Sequence, residues 1–546
     1  MITHGFAVIF TAAIAVFAGR HPATAAGVLK RFHSSTRRRA FYILAAMLFP
    51  VLVRIALLPW LPPPVPAVHD EFGHLLVADT LLHGRLANPP HPLWRHLETI
   101  YVLQHPAYAS IYPLGQGIIL AAGRLLFGSP YAGVLLSVAL MAGAIAWMLF
   151  GCLPPHWAAL AGLLAASQYG LAEVWGNSYW GGAFCACGGA LVFGALCRLR
   201  TGPSRALGLV AGAGWSICWL IRPYESLLLL AILGGCMAGF LVRDRLCWKR
   251  WMPTCALLLL PLILTGCLTI LHNRAVTGSY TTLPYQLSRQ VEGVPQTFLW
   301  QKPIPEPPLD FRELRDMYWY QRRAKDNLSA NPAPIWRDYV NRTWLFYVEP
   351  WSLPMVLVVF AFKDRQALAA AAIVTLAFAG SLVYPLFYPH YLAAYTCVFW
   401  FLIMRGIVTL YRWRPRGMAV GAVGAVFLLL VCAMTSLEID FGPKIAYMAG
   451  RVAPNPRAQI AQRLLGMGGR HVVFVRYDAT HSFHDEWVYN AADIDAAHIV
   501  WCRAMGPDAN RDVLSYYRGR QFWLADVGAS GARLVPCGLT TECNTK

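Results

Sequence analysis

Long apolar runs separated by short basic turns dominate the chain. Windows of about 20 apolar residues, enough for a helix to cross ~30 Å of hydrocarbon, fall near 40–61, 130–150, 157–175, 181–197, 206–221, 224–242, 252–271, 346–362, 367–386, 388–404 and 418–437. Eleven spans are expected from this pattern. Gly5 to Gly19 is also apolar but short for a span. It precedes a basic segment without a convincing cleavage site, and we read it as an uncleaved helix.

The polar positions give the orientation. Arg37, Arg38 and Arg39 precede the first long span, and we place them on the cytoplasmic side, where Lys and Arg resist translocation. The same side then receives Arg198, Arg200 and Arg205, then Arg243, Arg245, Lys249 and Arg250, then Lys363 and Arg365, then Arg405, Arg412, Arg414 and Arg416. Three polar segments fall outside: about 62–129, about 272–345 and everything after 437. The expected divisions are an N-terminal apolar segment with a basic cytoplasmic loop (1–39), a transmembrane domain (40–437) carrying those two outer loops, and an extracytoplasmic C-terminal domain (438–546). Tyr112 to Phe127 is apolar but holds Arg124, and counting it as a span inverts every later loop. It reads instead as a helix lying along the outer membrane surface. The C-terminal segment returns to mixed polarity, with strand-like runs at 471–477 and 521–525 and helices near 455–466 and 510–518. The fold class is therefore mainly α: a polytopic bundle of eleven or twelve transmembrane helices with a small soluble α/β domain.

Composition agrees. Of 546 residues, 57% are apolar and 13% charged, at a mean hydropathy of +0.45. A soluble chain carries about twice that share of charge, so a soluble enzyme is excluded. The 46 Lys and Arg exceed the 27 Asp and Glu by 19, an excess that membrane topology accounts for without nucleic acid. Eleven of the fourteen cysteines lie at or before Cys432, mostly inside spans as small apolar residues. Cys502, Cys537 and Cys543 leave one disulfide in the outer domain, with 502 to 537 the favoured pairing.

Candidate chemistry begins just outside the first span, at His69-Asp70-Glu71-Phe72-Gly73-His74, a helix-like run that continues to His83 and stops at Gly84. Acids at a helix N-terminus are favoured by its dipole, so capping is the plain reading of the pair. Position favours more: the acids sit beside the bundle mouth, in a loop that also holds Pro89, Pro90, His91, Trp94, Glu98 and Tyr112-Pro113. Asp70 and His74 share a helical face among six histidines of that loop, but they form no recognised ligand set, and no metal is expected. At other outer span ends stand Arg222-Pro223-Tyr224-Glu225, Glu173 with Asn177, Tyr179 and Trp180, and His390-Tyr391. An Arg at such a depth is costly unless paired or used. Its fork of donors suits a phosphate, the alternative being a salt bridge to Glu225. Trp180, Tyr179 and Asn177 offer aromatic faces and an amide to a sugar, or an ordinary interfacial belt. Tyr285, Arg289 and the run Tyr318 to Arg323 mark the middle outer loop as a cover for the donor or acceptor, or a solvated loop. His484-Asp485-Glu486 repeats the earlier tripeptide and reads as surface.

The Asp70-Glu71 pair in the first outer loop, the Gly84-x-x-x-x-Pro89 turn, Tyr112-Pro113-x-Gly115 opening a surface helix, and Phe127-Gly128 after it resemble the integral-membrane GT-C glycosyltransferases. The nearest branch is the protein mannosyltransferase and aminoarabinose transferase group. The likeness runs over about 40–410 and is strongest over 69–130. It implies a GT-C-like bundle of a bacterial inner-membrane type, a polyprenyl-phosphate sugar donor reached from the membrane, and no cofactor. Asp70 inherits the role of base or acceptor-orienting residue. Glu71, about 100° round the helix, orients the acceptor or a neighbouring side chain. Arg222, Glu225, His390, Tyr391, Tyr112, Asn177, Tyr179, Trp180 and Glu98 are the expected substrate contacts. Two departures touch residues that meet lipid phosphate: no Lys precedes Pro113, and His390-Tyr391 stands where Arg-Tyr is usual. The expected activity is transfer of a hexosyl or pentosyl group to a lipid, glycan or protein acceptor on the extracytoplasmic face. A transporter or flippase of lipid-linked saccharides is the alternative, but it places polar groups at mid-span and shows repeat symmetry. A membrane scaffold leaves Asp70 without a purpose.

Overall fold

The computed structural model describes residues 9–14, 16, 20–245, 247–295, 298–452, 455–529 and 531–537, so the expectation for Gly5 to Gly19 falls largely outside the described residues. The apolar runs form helices in chain order: α1 (Pro22–Ser35), α2 (Arg39–Ala56), α3 (His69–Leu82), α4 (Leu114–Phe127), α5 (Pro130–Cys152), α6 (Pro155–Gly170), α7 (Gly182–Leu199), α8 (Arg205–Trp219), α9 (Pro223–Arg243) and α10 (Trp248–Thr277). The middle segment holds α11 (Pro284–Glu292), α12 (Arg312–Ala330) and α13 (Pro332–Tyr347). It is followed by α14 (Ser352–Leu357), α15 (Arg365–Ser381), a 3-10 turn at Pro389–Tyr395 running into α16 (Thr396–Arg412), α17 (Val420–Ile439) and α18 (Ile445–Val452).

The protein is a multi-pass membrane protein, with fewer full-length spans than the apolar windows predict. Among the described residues seven helices are long and apolar enough to cross a bilayer, and eight if Pro332–Tyr347 and Ser352–Ala361, bent by 107°, count as one. The windows at 157–175, 206–221 and 367–386 are helices of 16, 15 and 17 residues. At 1.5 Å per residue these reach only about 23–26 Å. The window at 346–362 is broken where Pro350 can donate no backbone hydrogen bond. Packing sorts the spans into two sets. The apolar windows of α5, α7 and Pro389–Arg412 are 72%, 78% and 89% buried, whereas those of α2 and α10 are 17% buried and turn Phe41, Leu52, Ile263 and Leu264 outward.

A cap covers one end of the bundle. In its first loop β1 (Val102–Leu103) pairs antiparallel with β2 (Ala109–Ser110), and its C-terminal part is a four-stranded sheet built from β3 (His471–Tyr477), β4 (Ile499–Arg503), β5 (Gln521–Gly528) and β6 (Gly531–Pro536) in the order β4-β3-β5-β6. β3 runs parallel to β4 and β5, and β6 is antiparallel to β5. Helices α19 (Pro456–Met467) and α20 (Pro507–Tyr516) accompany it, close to the helices expected from sequence. Side chains alternate between the faces. Val473, Val475, Trp523 and Ala525 pack with Ile460 and Leu464 of α19. Val472, Phe474, Cys502 and Leu524 pack on Leu76, Leu97, Val102 and Tyr108 of the first loop. Cys502 is accordingly a buried free thiol and does not pair with Cys537, which is disulfide-bonded elsewhere. A disulfide that spacing did not suggest joins Cys152 to Cys197 at the ends of α5 and α7, with Cα atoms 6.0 Å apart.

Glu486, expected on the surface, is instead at the centre of the cap. The buried Arg503 guanidinium lies 2.5 Å from Glu486 Oε2 and 3.1 Å from Glu313 Oε2, and its Nε donates to the Glu98 carbonyl oxygen at 2.7 Å. One cation thus ties together the first loop, α12 and the C-terminal sheet. Breaking a buried pair by removing one partner costs about 3–5 kcal/mol. Arg503→Met should therefore lower stability by about that amount in thermal denaturation, and adding Glu486→Gln should recover part of the loss. An unchanged melting point would show that the junction does not hold the cap.

Candidate active site

Two close approaches build the centre. α3 starts at a capping box in which Glu71 Oε2 accepts from the backbone N–H of Ala67 at 2.9 Å and of Val68 at 3.4 Å. Asp70 is thereby fixed in the first helical turn, and Gly84 at φ +69° ends the run as its sequence predicts. A Cβ on Gly73 would lie 2.7 Å from the Tyr112 ring, so glycine there lets Tyr112 close on α3 and donate its hydroxyl hydrogen to Asp70 Oδ1. Gly115 repeats the device at the start of α4: its N–H donates to the Leu220 carbonyl at 2.7 Å, and a Cβ would meet that same oxygen. Arg222, two residues beyond, is thereby held where its charge bears on Asp70.

Around this pair the recess is cationic on one side. Arg222 lies over the Tyr391 ring at 4.5 Å, with Nη1 3.8 Å from Glu225 Oε1. Glu225 also accepts from Tyr384 Oη at 3.3 Å. His74, one helical turn after Asp70, faces Tyr112 at 4.4 Å, and its Nδ1 is buried without a hydrogen-bond partner among the described residues. His390 lies 5.1 Å from Tyr391 and 5.8 Å from Trp180, whose indole N–H is also unpartnered. Tyr285 stands edge-on to Tyr112 at 5.9 Å. A narrow, mostly apolar pocket opens beside it, lined by Leu220, Pro223, Trp219, Leu283, Pro284 and Tyr285.

The electrostatics separate the groups. Burial outweighs the opposing pull of Arg222 and pushes the Asp70 carboxyl up to about 6, with a further rise from Glu71. Burial, then Arg222, hold the His74 imidazole down at about 3, so it is neutral and offers one N–H and one lone pair. A carboxylate of raised basicity beside a fixed cation suits removal of a proton from a hydroxyl and stabilisation of a departing anion.

Asp70, Tyr112, Arg222, Glu225, His390, Tyr391 and Trp180 come together from distant parts of the sequence. Others serve the scaffold. Glu71 is fully buried, and Oε1 accepts from the Tyr179 backbone N–H at 3.2 Å, which pins α3 to the 177–180 turn. Asn177 is 2% exposed, its Oδ1 accepting from Arg54 Nε at 2.9 Å, and Tyr179 donates to the Pro64 carbonyl at 3.2 Å. Both were expected to face a sugar, but their polar groups are taken by the protein. Glu98 sits in the Arg503 junction, its carboxyl pushed up to about 7 by burial and then by Asp310. Sequence reasoning assigned no binding role to His74 or Tyr101. The only available signal for His74 was its four-residue spacing from Asp70, which suggested a metal instead.

No family model matches the chain, and no curated protein matches it in sequence. Among solved structures it is similar to ArnT from Cupriavidus metallidurans in the apo state, at 14% identity and TM-score 0.48, over 89% of this chain and 94% of that one. For ArnT bound to undecaprenyl phosphate the values are 14%, 0.47, 92% and 93%. For the apo oligosaccharyltransferase of Archaeoglobus fulgidus they are 10%, 0.45, 89% and 69%.

Proposed function

We propose that the protein is a membrane glycosyltransferase that moves a sugar from a polyprenyl-phosphate donor to an acceptor hydroxyl on the extracytoplasmic face. The observation that carries the reading is that the charge of Arg222 bears on the buried Asp70 carboxyl, close to an apolar pocket lined by Leu220 and Pro223. The apolar lining of that pocket suits contact with an isoprenoid tail at the protein surface, and a phosphate suits the Arg222 guanidinium with the His74, His390 and Trp180 nitrogens around it.

In this reading Asp70 takes the acceptor's hydroxyl proton as that oxygen bonds to the anomeric carbon. The bond from the anomeric carbon to the phosphate oxygen breaks, the electron pair leaves with the polyprenyl phosphate, and configuration inverts. Arg222 meets the charge that grows on the leaving phosphate. Tyr112 holds Asp70 in place through its hydrogen bond. The polyprenyl-phosphate sugar and an acceptor are the partners, and the active end and C-terminal domain face away from the cytoplasm, as the basic loops predict.

A base must be ionised to act, and Asp70 titrates near 6. For the full chain in nanodiscs with a polyprenyl-phosphate sugar, kcat/KM should fall about tenfold per pH unit below 6 and level off above it. Absence of transfer from every polyprenyl-phosphate sugar offered, or a rate indifferent to pH between 5 and 7, would overturn the reading.

A further inference from the structure

Beside Asp70, rings from separate parts of the chain cluster into a wall. His69, beside Asp70 in the first turn of α3, meets Tyr101 edge-on at 5.7 Å, Phe483 face-parallel at 6.5 Å and His484 at 5.8 Å. Tyr320 of α12 packs on Phe483 at 5.6 Å and His484 at 5.3 Å. The Tyr388 hydroxyl reaches Tyr320, and the charge of Asp70 bears on Tyr388. His484 and Tyr388 are exposed at the rim. Two of these six rings belong to the C-terminal domain.

His69 supplies an independent observation. It is 5% exposed, and its Nδ1 lies 3.2 Å from Tyr489 Oη, which donates its own hydrogen to the Ile100 carbonyl. Nδ1 therefore carries the imidazole hydrogen. Nε2 is left with a lone pair and no hydrogen-bond partner among the described residues. The complement of such a lone pair in an uncharged, ring-lined wall is a hydroxyl.

We propose that this wall is the acceptor subsite and that it takes a saccharide, the Phe483-His484 turn of the C-terminal domain contributing to its selectivity. A pyranose has an apolar C–H face to lay on rings, and a hydroxyl for the imidazole lone pair. The inference rests on the glycosyl-transfer reading and supplies its acceptor class. It also gives the C-terminal domain a part in binding, with the donor held by Arg222.

The test uses the full chain in nanodiscs, probed with an array of neutral oligosaccharides, an array of Ser- and Thr-containing peptides, and polyprenyl phosphate. Binding of at least one oligosaccharide is expected, weakened about tenfold by Phe483→Ala and by His484→Ala. Tyr320→Phe, which keeps the ring, should bind as the parent does, and polyprenyl phosphate affinity should be unchanged in all three. Peptide binding without oligosaccharide binding, no oligosaccharide bound at all, or binding indifferent to both alanine variants overturns the proposal. Failure of the parent chain to bind polyprenyl phosphate strikes instead at the glycosyl-transfer reading.

Discussion

Asp70→Asn should lower transfer by about 10²- to 10⁴-fold, the range lost with a positioned general base, while the protein becomes more resistant to heat. The amide is nearly the same shape and keeps an oxygen to accept from Tyr112, so the site should stay assembled. The rise in stability follows from the direction of the pKa shift. The carboxyl titrates near 6 in the fold against 3.8 in its absence. Between those values the folded protein holds the proton more tightly than the unfolded chain does. Stability falls as pH rises through that window and stays lower above it. A neutral amide removes the penalty. Turnover with a polyprenyl-phosphate sugar and the melting point at pH 7.5 read the two effects separately. Unchanged turnover would eliminate Asp70 as base, and a lower melting point would show that contacts made by the carboxylate outweigh its burial.

The second large effect falls on donor binding. Arg222 is the cation nearest Asp70, and loss of charge-assisted hydrogen bonds of about 1.5–3 kcal/mol corresponds to a drop in polyprenyl-phosphate affinity of about 10- to 150-fold. Arg222→Met alone also strands Glu225, whose side chain is 5% exposed. The informative variant is therefore Arg222→Met with Glu225→Met, which leaves no buried charge unpaired between the two. Arg222→Lys keeps the charge without the planar fork and should fall between the parent and the double variant. Calorimetric titration of each with polyprenyl phosphate reads the series. A double variant that binds like the parent would reduce the pair to a structural salt bridge, the alternative that the sequence left open.

What sequence revealed follows the range of the forces involved. Apolar runs act locally, so the apolar helices were legible, down to the 14-residue α4 and the stop at Gly84, whereas α1 and the polar α11, α12 and α13 lie in segments that read only as loops. Length was less so: α6, α8 and α15 are shorter than their windows because the polar turns at their ends take backbone that hydropathy alone assigns to a span. Asp70 and Arg222 were legible because a charge beside an apolar run is conspicuous. Groups whose meaning depends on a distant partner were not. Arg503 meets Glu313 across 190 residues and the Glu98 carbonyl across 405. Nothing local separates it from a surface arginine, nor Glu486 from a surface acid. Asn177 carried an ambiguous signal for the same reason, since only the fold reveals that Arg54, 123 residues earlier, already holds its amide.

The contacts of α3 with the C-terminal domain have an effect on when the site exists. Phe72 stacks on Tyr489 at 4.4 Å, and His69 meets that same tyrosine across 420 residues of sequence. The helix bearing Asp70 therefore leaves the ribosome some 420 residues before the tyrosine that supports it. A nascent chain therefore carries its carboxylate unsupported through nearly all of synthesis, and the finished sheet completes the centre when it docks.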